Sequence, residues 1–132
     1  MDTKYFEKIR IFDGGMGQEL LSKGLISKGT LWSASALIER EFHKLVIDAH
    51  ISYINAGADI IVTNNFSARK IRFIQNKVLD KFQYANEQAG ILANKAREIS
   101  KQNILIAGSL PSQSDTYVED ERSSSEIQSD FE

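Results

Sequence analysis

Three short runs rich in hydrophobic residues lie at positions 9–12, 60–62 and 104–107, and two long stretches of mixed polarity separate them. Each run is rich in β-branched or aromatic residues and is followed by small or polar residues, which is typical of β-strands. The run at 60–62 is apolar without interruption, as expected for a strand of a parallel sheet that is buried on both faces. The sequence therefore predicts three strands.

The two long stretches carry apolar residues at spacings of three and four, which predicts a helix in each. Gly57 is well placed to end the first helix. The apolar positions are Phe42, Leu45, Val46, Ala49, Tyr53 and Ile54 in the first, and Val78, Phe82, Ala85, Ala89, Leu92, Ala96 and Ile99 in the second. The order strand, helix, strand, helix, strand predicts an α/β fold with parallel strands, right-handed crossovers and helices on the outside.

The composition is that of a globular protein, with 132 residues of which 42% are hydrophobic and 26% charged. Apolar runs are too short to cross a membrane, and the N-terminus lacks the apolar core of a signal peptide. The absence of cysteine excludes disulfides and thiolate metal ligands within this chain. We therefore expect a cytoplasmic protein with no membrane partner.

Charge is distributed unevenly, although the net charge is only −2. The segment 112–132 is rich in serine and contains seven acidic residues against one basic residue, Arg122. We interpret 112–132 as an acidic tail, and the part from Glu119 onward is compatible with the start of a third helix. The rest of the chain has no basic footprint of the kind that nucleic-acid-binding domains carry.

Small and polar residues follow all three predicted strands. They are Asp13, Gly14 and Gly15; Thr63, Asn64 and Asn65; and Gly108 and Ser109. The carboxyl ends of parallel strands meet at one edge of a sheet, where α/β proteins bind ligands. There, Asp13 could accept the ammonium group of an amino acid, and the amides of Gly14 and Gly15 could approach its carboxylate.

The same Asp-Gly-Gly stretch has a purely structural interpretation. An aspartate after a strand often forms a turn by accepting hydrogen bonds from the backbone amides that follow it. For Asp13 alone, a turn is the simpler interpretation. The polar residues at the other two strand ends make a binding site more plausible, but they leave both interpretations open.

Six segments, taken in order, carry a resemblance to a known family. They are residues 13–20 (DGGMGQEL), 31–33 (LWS), 55–59 (NAGAD), 61–68 (IVTNNFSA), the helix with Asn86, Ala89, Ala93 and Ala96, and 107–111 (AGSLP). Together they resemble the homocysteine S-methyltransferases, which include the betaine- and S-methylmethionine-dependent enzymes and the homocysteine domain of methionine synthase. The resemblance extends over residues 9–119.

The resemblance implies a (β/α)₈ TIM barrel that transfers a methyl group from a donor to the thiol of homocysteine, giving methionine. It implies a zinc ion held by three cysteines, which would convert the thiol to a thiolate. It places Asp13 at the substrate ammonium group, Gly14 and Gly15 at the carboxylate, and Trp32 over the site or at the donor. Thr63, Asn64, Phe66 and Ser109 would complete the substrate pocket.

A complete barrel needs about 250 residues, so this chain supplies only about the first three βα units. The zinc cysteines would then lie beyond residue 132. His43 and His50 are seven residues apart on one predicted helix, about 10 Å along its axis, which is too far for both to bind one zinc. We expect the N-terminal part of a longer enzyme, with residues 1–132 belonging to one homocysteine-binding barrel domain, inactive alone and prone to self-association.

Two other functions stay open at this point. The chain could be a non-catalytic module that binds a small amino acid or pairs with a C-terminal half-barrel. It could also bind single-stranded nucleic acid through basic residues interleaved with Phe66, Phe73 and Phe82. Those basic residues are Arg69, Lys70, Arg72, Lys77 and Lys81. Because such phenylalanines usually belong to the core, we predict no nucleic-acid partner.

Overall fold

The fold contains two parallel strands. The computed structural model of the chain describes residues 3–112, 114 and 119–129. Strand β1 (Ile60–Val62) pairs with β2 (Leu105–Ala107) in parallel, with Ile61 opposite Ile106. Phe12 adds a single parallel bridge to Ile60 on the other side of β1. The spatial order is therefore Phe12, β1, β2, and both pairings are parallel, as predicted.

The predicted strand at 9–12 is wrong in length, because only Phe12 forms a bridge. Asp13 N donates to Ile60 O, and Ile60 N donates to Ile11 O, which makes one complete parallel pairing. The pairing does not extend to the residues before Phe12 and Ile60, because Ala58 N donates to Tyr53 O in the helix that precedes β1. The pairing does not extend to the residues after Phe12 and Ile60, because the N–H of Val62 donates to the Asp13 side chain instead of to a backbone carbonyl.

The described residues contain six α-helices. They are α1 (Met16–Ser22), α2 (Ser35–Ile38), α3 (His43–Asn55), α4 (Lys70–Gln75), α5 (Phe82–Ser100) and α6 (Ser124–Ser129). Short 3₁₀ turns occupy Thr3–Glu7, Gly29–Ala34, Arg40–Phe42 and Leu79–Lys81. The apolar spacing predicts α3 and α5. The short helices α1, α2 and α4 give too few turns for a periodic pattern.

The ends of the two long helices follow from residues in the left-handed backbone region. Gly57 has φ +104° in the turn after α3, where glycine avoids the strain that a side chain would bring. Lys101 ends α5 with φ +54°. The turn at Gly57 leads directly into β1. The chain therefore passes from Phe12 through α3 to the parallel strand β1, as in a βαβ unit.

The core has two parts. The larger lies among α1 to α5, and the smaller lies between the strands and the packed pair α3 and α5. Small residues of α5, such as Ala85, Ala89 and Ala93, let the two helices approach closely. Phe73 of α4 is fully buried and contacts Phe82 edge to face at 5.5 Å between ring centroids. Arg69 is buried as well, so the basic and aromatic residues around it do not form one exposed surface.

The two histidines of α3 pack within the protein. His43 Nε2 lies 3.0 Å from Leu37 O, and its ring stacks on Tyr84. His50 is completely buried, and neither ring nitrogen has a hydrogen-bond partner among the described residues. Among the described residues, no helix is both long enough and apolar enough to span a membrane.

Candidate functional site

A cavity of about 890 Å³ lies where Phe12, β1 and β2 end, and we call it the strand-end cavity. All eight residues that the sequence suggests for substrate binding line it. They are Asp13, Gly14, Gly15, Trp32, Thr63, Asn64, Phe66 and Ser109. The parallel pairing brings all of them except Trp32 together, because it places three strand ends that are distant in sequence at one edge of the sheet. Trp32 comes from the Gly29–Ala34 turn.

Asp13 connects the first strand end to β1. Its Oδ2 accepts a hydrogen bond from Val62 N at 2.9 Å, and its own N–H donates to Ile60 O at 3.0 Å. Burial raises the pKa of the Asp13 carboxyl above its ordinary value, and hydrogen bonds from the backbone amides of Val62 and Asp13 oppose that rise. The carboxyl group is thus fixed in position at the wall of the cavity.

Gly14 follows in close contact with Tyr53 of α3. A Cβ atom on Gly14 would come within 3.0 Å of Tyr53 Cε1 and 3.2 Å of its hydroxyl oxygen. Burial raises the pKa of the Tyr53 hydroxyl, and the carboxylates of Glu19 and Asp13 add to the rise. The backbone at Gly14 therefore lies directly on the Tyr53 ring, which a larger residue would push away.

Thr63 and Ser109 are joined through the side chain of Asn65. Thr63 Oγ1 donates to Asn65 Oδ1 at 2.7 Å and accepts from Ser109 N at 3.2 Å. Asn65 Nδ2 donates to Ser109 O at 3.1 Å and to Asn86 Oδ1 of α5 at 3.0 Å. This closed ring of hydrogen bonds fixes the end of β1 against the segment that follows β2.

Asn64 and Ser33 form a buried polar wall of the cavity. Asn64 Nδ2 donates to Ser33 O at 3.1 Å, and Ser33 Oγ donates to Ser67 Oγ at 3.3 Å. All three residues are buried and line the cavity. The polar groups therefore have partners within the protein and present a preorganised surface to whatever occupies the cavity.

Two aromatic side chains also line the cavity. Phe66 is 56% exposed and Trp32 is 41% exposed. A Cβ atom on Gly17 of α1 would overlap Trp32 Nε1, so the indole lies directly on the bare backbone at Gly17. Exposed aromatic rings at a cavity mouth offer apolar surface to a ligand.

Further cavity-lining residues had no signal strong enough for a prediction from sequence. They are Phe12, Met16, Gly17, Gly29, Thr30, Ser33, Val62, Ser67 and Arg72. Ser67 and Arg72 follow β1 in the same segment as Thr63 and Phe66, and this position was the available clue. Thr30 and Ser33 lie in an irregular turn whose path the sequence pattern does not reveal.

The described residues do not fit the three-cysteine zinc centre that the resemblance implies. The chain contains no cysteine, and no group of three histidine, aspartate or glutamate side chains in the described ranges is arranged to hold a metal. His43 faces the Leu37 carbonyl, and His50 is enclosed in the core. We therefore derive no step through a metal.

Comparison with known proteins identifies the family. The family model for homocysteine S-methyltransferase matches residues 10–132. The homocysteine S-methyltransferase of Escherichia coli is 32% identical over 115 residues, covering 79% of this chain and 35% of that protein. Homocysteine S-methyltransferase 1 of maize is 38% identical over 64 residues, covering 48% of this chain and 19% of that protein.

The structure agrees with these sequence matches. The metallated form of the homocysteine methyltransferase MmuM from Escherichia coli superimposes with a TM-score of 0.68 and 29% identity, covering 82% of this chain and 40% of that one. The chain belongs to the homocysteine S-methyltransferase family, which confirms the resemblance. It spans about a third of the length of the Escherichia coli relative.

Proposed function

We propose that this chain supplies the amino-acid-binding part of a homocysteine S-methyltransferase, built as the first three βα units of a TIM barrel. The family match and the parallel order Phe12, β1, β2 support this assignment. The observation that carries the proposal is the convergence of all eight candidate residues on the strand-end cavity.

In the proposed complex, the Asp13 carboxylate accepts hydrogen bonds from the ammonium group of homocysteine. The amides of Gly14 and Gly15 lie beside the substrate carboxylate, where no side chain blocks the backbone. Thr63, Asn64 and Ser109 add polar contacts to the bound amino acid. These residues bind and orient the substrate, and Asp13 remains held by Val62 N while it does so.

The aromatic residues take the other end of the ligand. In this proposal Phe66 forms an apolar wall beside the substrate side chain, and Trp32 covers the site on the side of the methyl donor. Both rings are partly exposed and line the cavity, which suits contact with an apolar or sulfur-containing group.

Titration calorimetry with L-homocysteine tests the substrate site. We expect Asp13→Asn to weaken binding about tenfold or more, since a hydrogen bond to a charged group contributes about 1.5–3 kcal/mol. Asp48→Asn, on the exposed face of α3, is the matched control and should bind like the wild type. Absence of binding by the wild type, or equal binding by Asp13→Asn, would overturn the proposal.

An analogue without the amino group sharpens this test. 4-Sulfanylbutanoate keeps the thiol and the carboxylate, so its affinity should be similar for the wild type and Asp13→Asn. A loss of affinity for both ligands in the variant would show that Asp13 acts on the shape of the site rather than on the ammonium group.

We further propose that the chain by itself binds the substrate without catalysing methyl transfer, because it contains no thiolate ligand for zinc. The purified chain, supplied with zinc, homocysteine and betaine or S-methylmethionine, should form no methionine. This outcome would separate a binding module from an active enzyme, and methionine formation would contradict it.

A further inference from the structure

Thr30 is held by three side chains from α4 and the residue that follows it. Arg72 Nη1 donates to Thr30 O at 2.9 Å, and Asn76 Nδ2 donates to Thr30 Oγ1 at 2.7 Å. Thr30 Oγ1 in turn donates to Gln75 Oε1 at 3.3 Å. These contacts, which we call the Thr30 clamp, join segments more than forty residues apart in the chain.

The Asn76 amide is also fixed on its other side. Its Nδ2 donates a second hydrogen bond, to Arg72 O at 2.7 Å. Gly29 has φ +51°, and a Cβ atom there would overlap Asn76 Oδ1. The amide of Asn76 therefore lies directly against the backbone at Gly29, and the loop cannot shift without breaking these contacts.

Two residues after Thr30, the backbone at Trp32 adopts φ +51° and ψ −129°. A residue with a side chain rarely adopts this conformation, which costs about 1–3 kcal/mol and persists only when the surroundings impose it. With this backbone conformation, the Trp32 indole lies on Gly17, at the wall of the strand-end cavity.

We propose that Arg72 and Asn76 are positioning residues that hold Trp32, through Thr30, in its strained conformation against Gly17. The clamp acts from the side of α4 that faces the Gly29–Ala34 turn. It sets the position of the indole before any ligand arrives, which lowers the cost of ordering this wall on binding.

Trp32 is the single tryptophan of the chain, so its fluorescence reports on the clamp directly. In the double variant Arg72→Met/Asn76→Ala, we expect the emission to shift to longer wavelength. Acrylamide quenching should rise about twofold, because the ring would move from 41% exposed toward full exposure. Circular dichroism should show that the helices remain.

Three further variants make the test specific. Ile74→Ala, on the same helix but outside the clamp, should keep wild-type fluorescence. Arg72→Lys, with Asn76 retained, should also have fluorescence close to that of the wild type, since an ammonium group can donate to Thr30 O. Thr30→Val replaces the hydroxyl with a methyl group and leaves the Thr30 carbonyl to Arg72, so it should give an intermediate rise in quenching. This variant keeps the proposal testable even if the double variant does not fold.

Wild-type quenching in a folded double variant, or in Thr30→Val, would overturn the proposal. The measurement uses the ligand-free chain, so its result does not depend on whether homocysteine binds.

Discussion

The carboxylate of Asp13 accepts a hydrogen bond from the backbone N–H of Val62 at 2.9 Å, so a side chain from the first strand end replaces a backbone carbonyl as the acceptor at the edge of β1. The bond combines the two interpretations of the Asp-Gly-Gly stretch. Asp13 caps a backbone amide, as a turn residue does, but the amide belongs to β1 rather than to its own turn. The capping holds the carboxylate at the wall of the strand-end cavity.

Replacing Asp13 should therefore affect stability in a graded way. Asp13→Ala leaves Val62 N–H without its acceptor, which should lower the free energy of unfolding by about 1–3 kcal/mol. Asp13→Asn retains a carbonyl oxygen for this bond and should lose less. Urea denaturation measures the difference, with Asp48→Asn as the surface control; equal losses for both Asp13 variants would contradict the role of the bond.

Asn65 should prove important although it does not line the cavity. Asn65→Ala removes the acceptor of Thr63 Oγ1 and the donor to Ser109 O, so the segment after β2 loses its attachment to β1. We expect faster hydrogen exchange at the Ser109 amide, which itself donates to Thr63 Oγ1.

The control for Asn65 is Asn94→Ala, which removes an exposed amide that bonds within α5. It should leave exchange at Ser109 unchanged. If Asn65→Ala also left that exchange unchanged, the ring of hydrogen bonds would not be what fixes the two strand ends.

His50 should make the protein less stable in mild acid. Burial lowers its pKa from 6.5 to about 4, because the folded protein encloses an imidazole that cannot be hydrated when charged. The unfolded chain therefore binds the proton more readily: the stability is fully present above pH 6.5 and is lost as the pH falls toward 4.

Between pH 7 and pH 5, this difference should lower the free energy of unfolding by about 2 kcal/mol. Urea denaturation of the wild type and of His50→Leu should reveal it, since the variant has no group to protonate there. Identical pH dependence for His50→Leu and the wild type would assign the effect to other groups.

The exposed apolar residues beside the sheet should drive self-association. Ile9 is 96% exposed, and Ile11 and Phe12 are also exposed. Within the part of the chain that the structure describes, this strand end pairs on one side only. Exposed apolar edges of this kind favour pairing between chains. Sedimentation velocity should show a concentration-dependent increase in mass.

Ile9→Lys/Ile11→Lys should shift that association to higher protein concentration. Ile99→Lys, on the exposed face of α5, provides the control at a site away from the edge. A wild type that stays monomeric throughout the concentration range would contradict the prediction.

The elements that the sequence predicts well are those whose burial imposes a regular pattern. The spacing of Val46, Ala49 and Ile54 in α3 reflects one buried face, and the uninterrupted run at 60–62 reflects a strand covered on both sides. The convergence of the candidate residues that follow the strands results from parallel pairing, which requires the strand ends to meet.

What the sequence did not reveal depends on contacts between distant segments. The strand at 9–12 is reduced to one bridge because Ala58 N–H and Val62 N–H bond elsewhere, and no local pattern encodes those choices. The conformation of Trp32 likewise depends on Arg72 and Asn76, some forty residues away, through Thr30.

The central claim is that the strand-end cavity binds the polar end of homocysteine, and amide chemical shifts test it most directly. In a two-dimensional ¹⁵N–¹H titration with L-homocysteine, the account predicts the largest shifts at Gly14, Gly15 and Ser109. Shifts confined to the groove on α5 lined by Glu87, Ile91 and Glu98, or no shifts at saturating ligand, would contradict it.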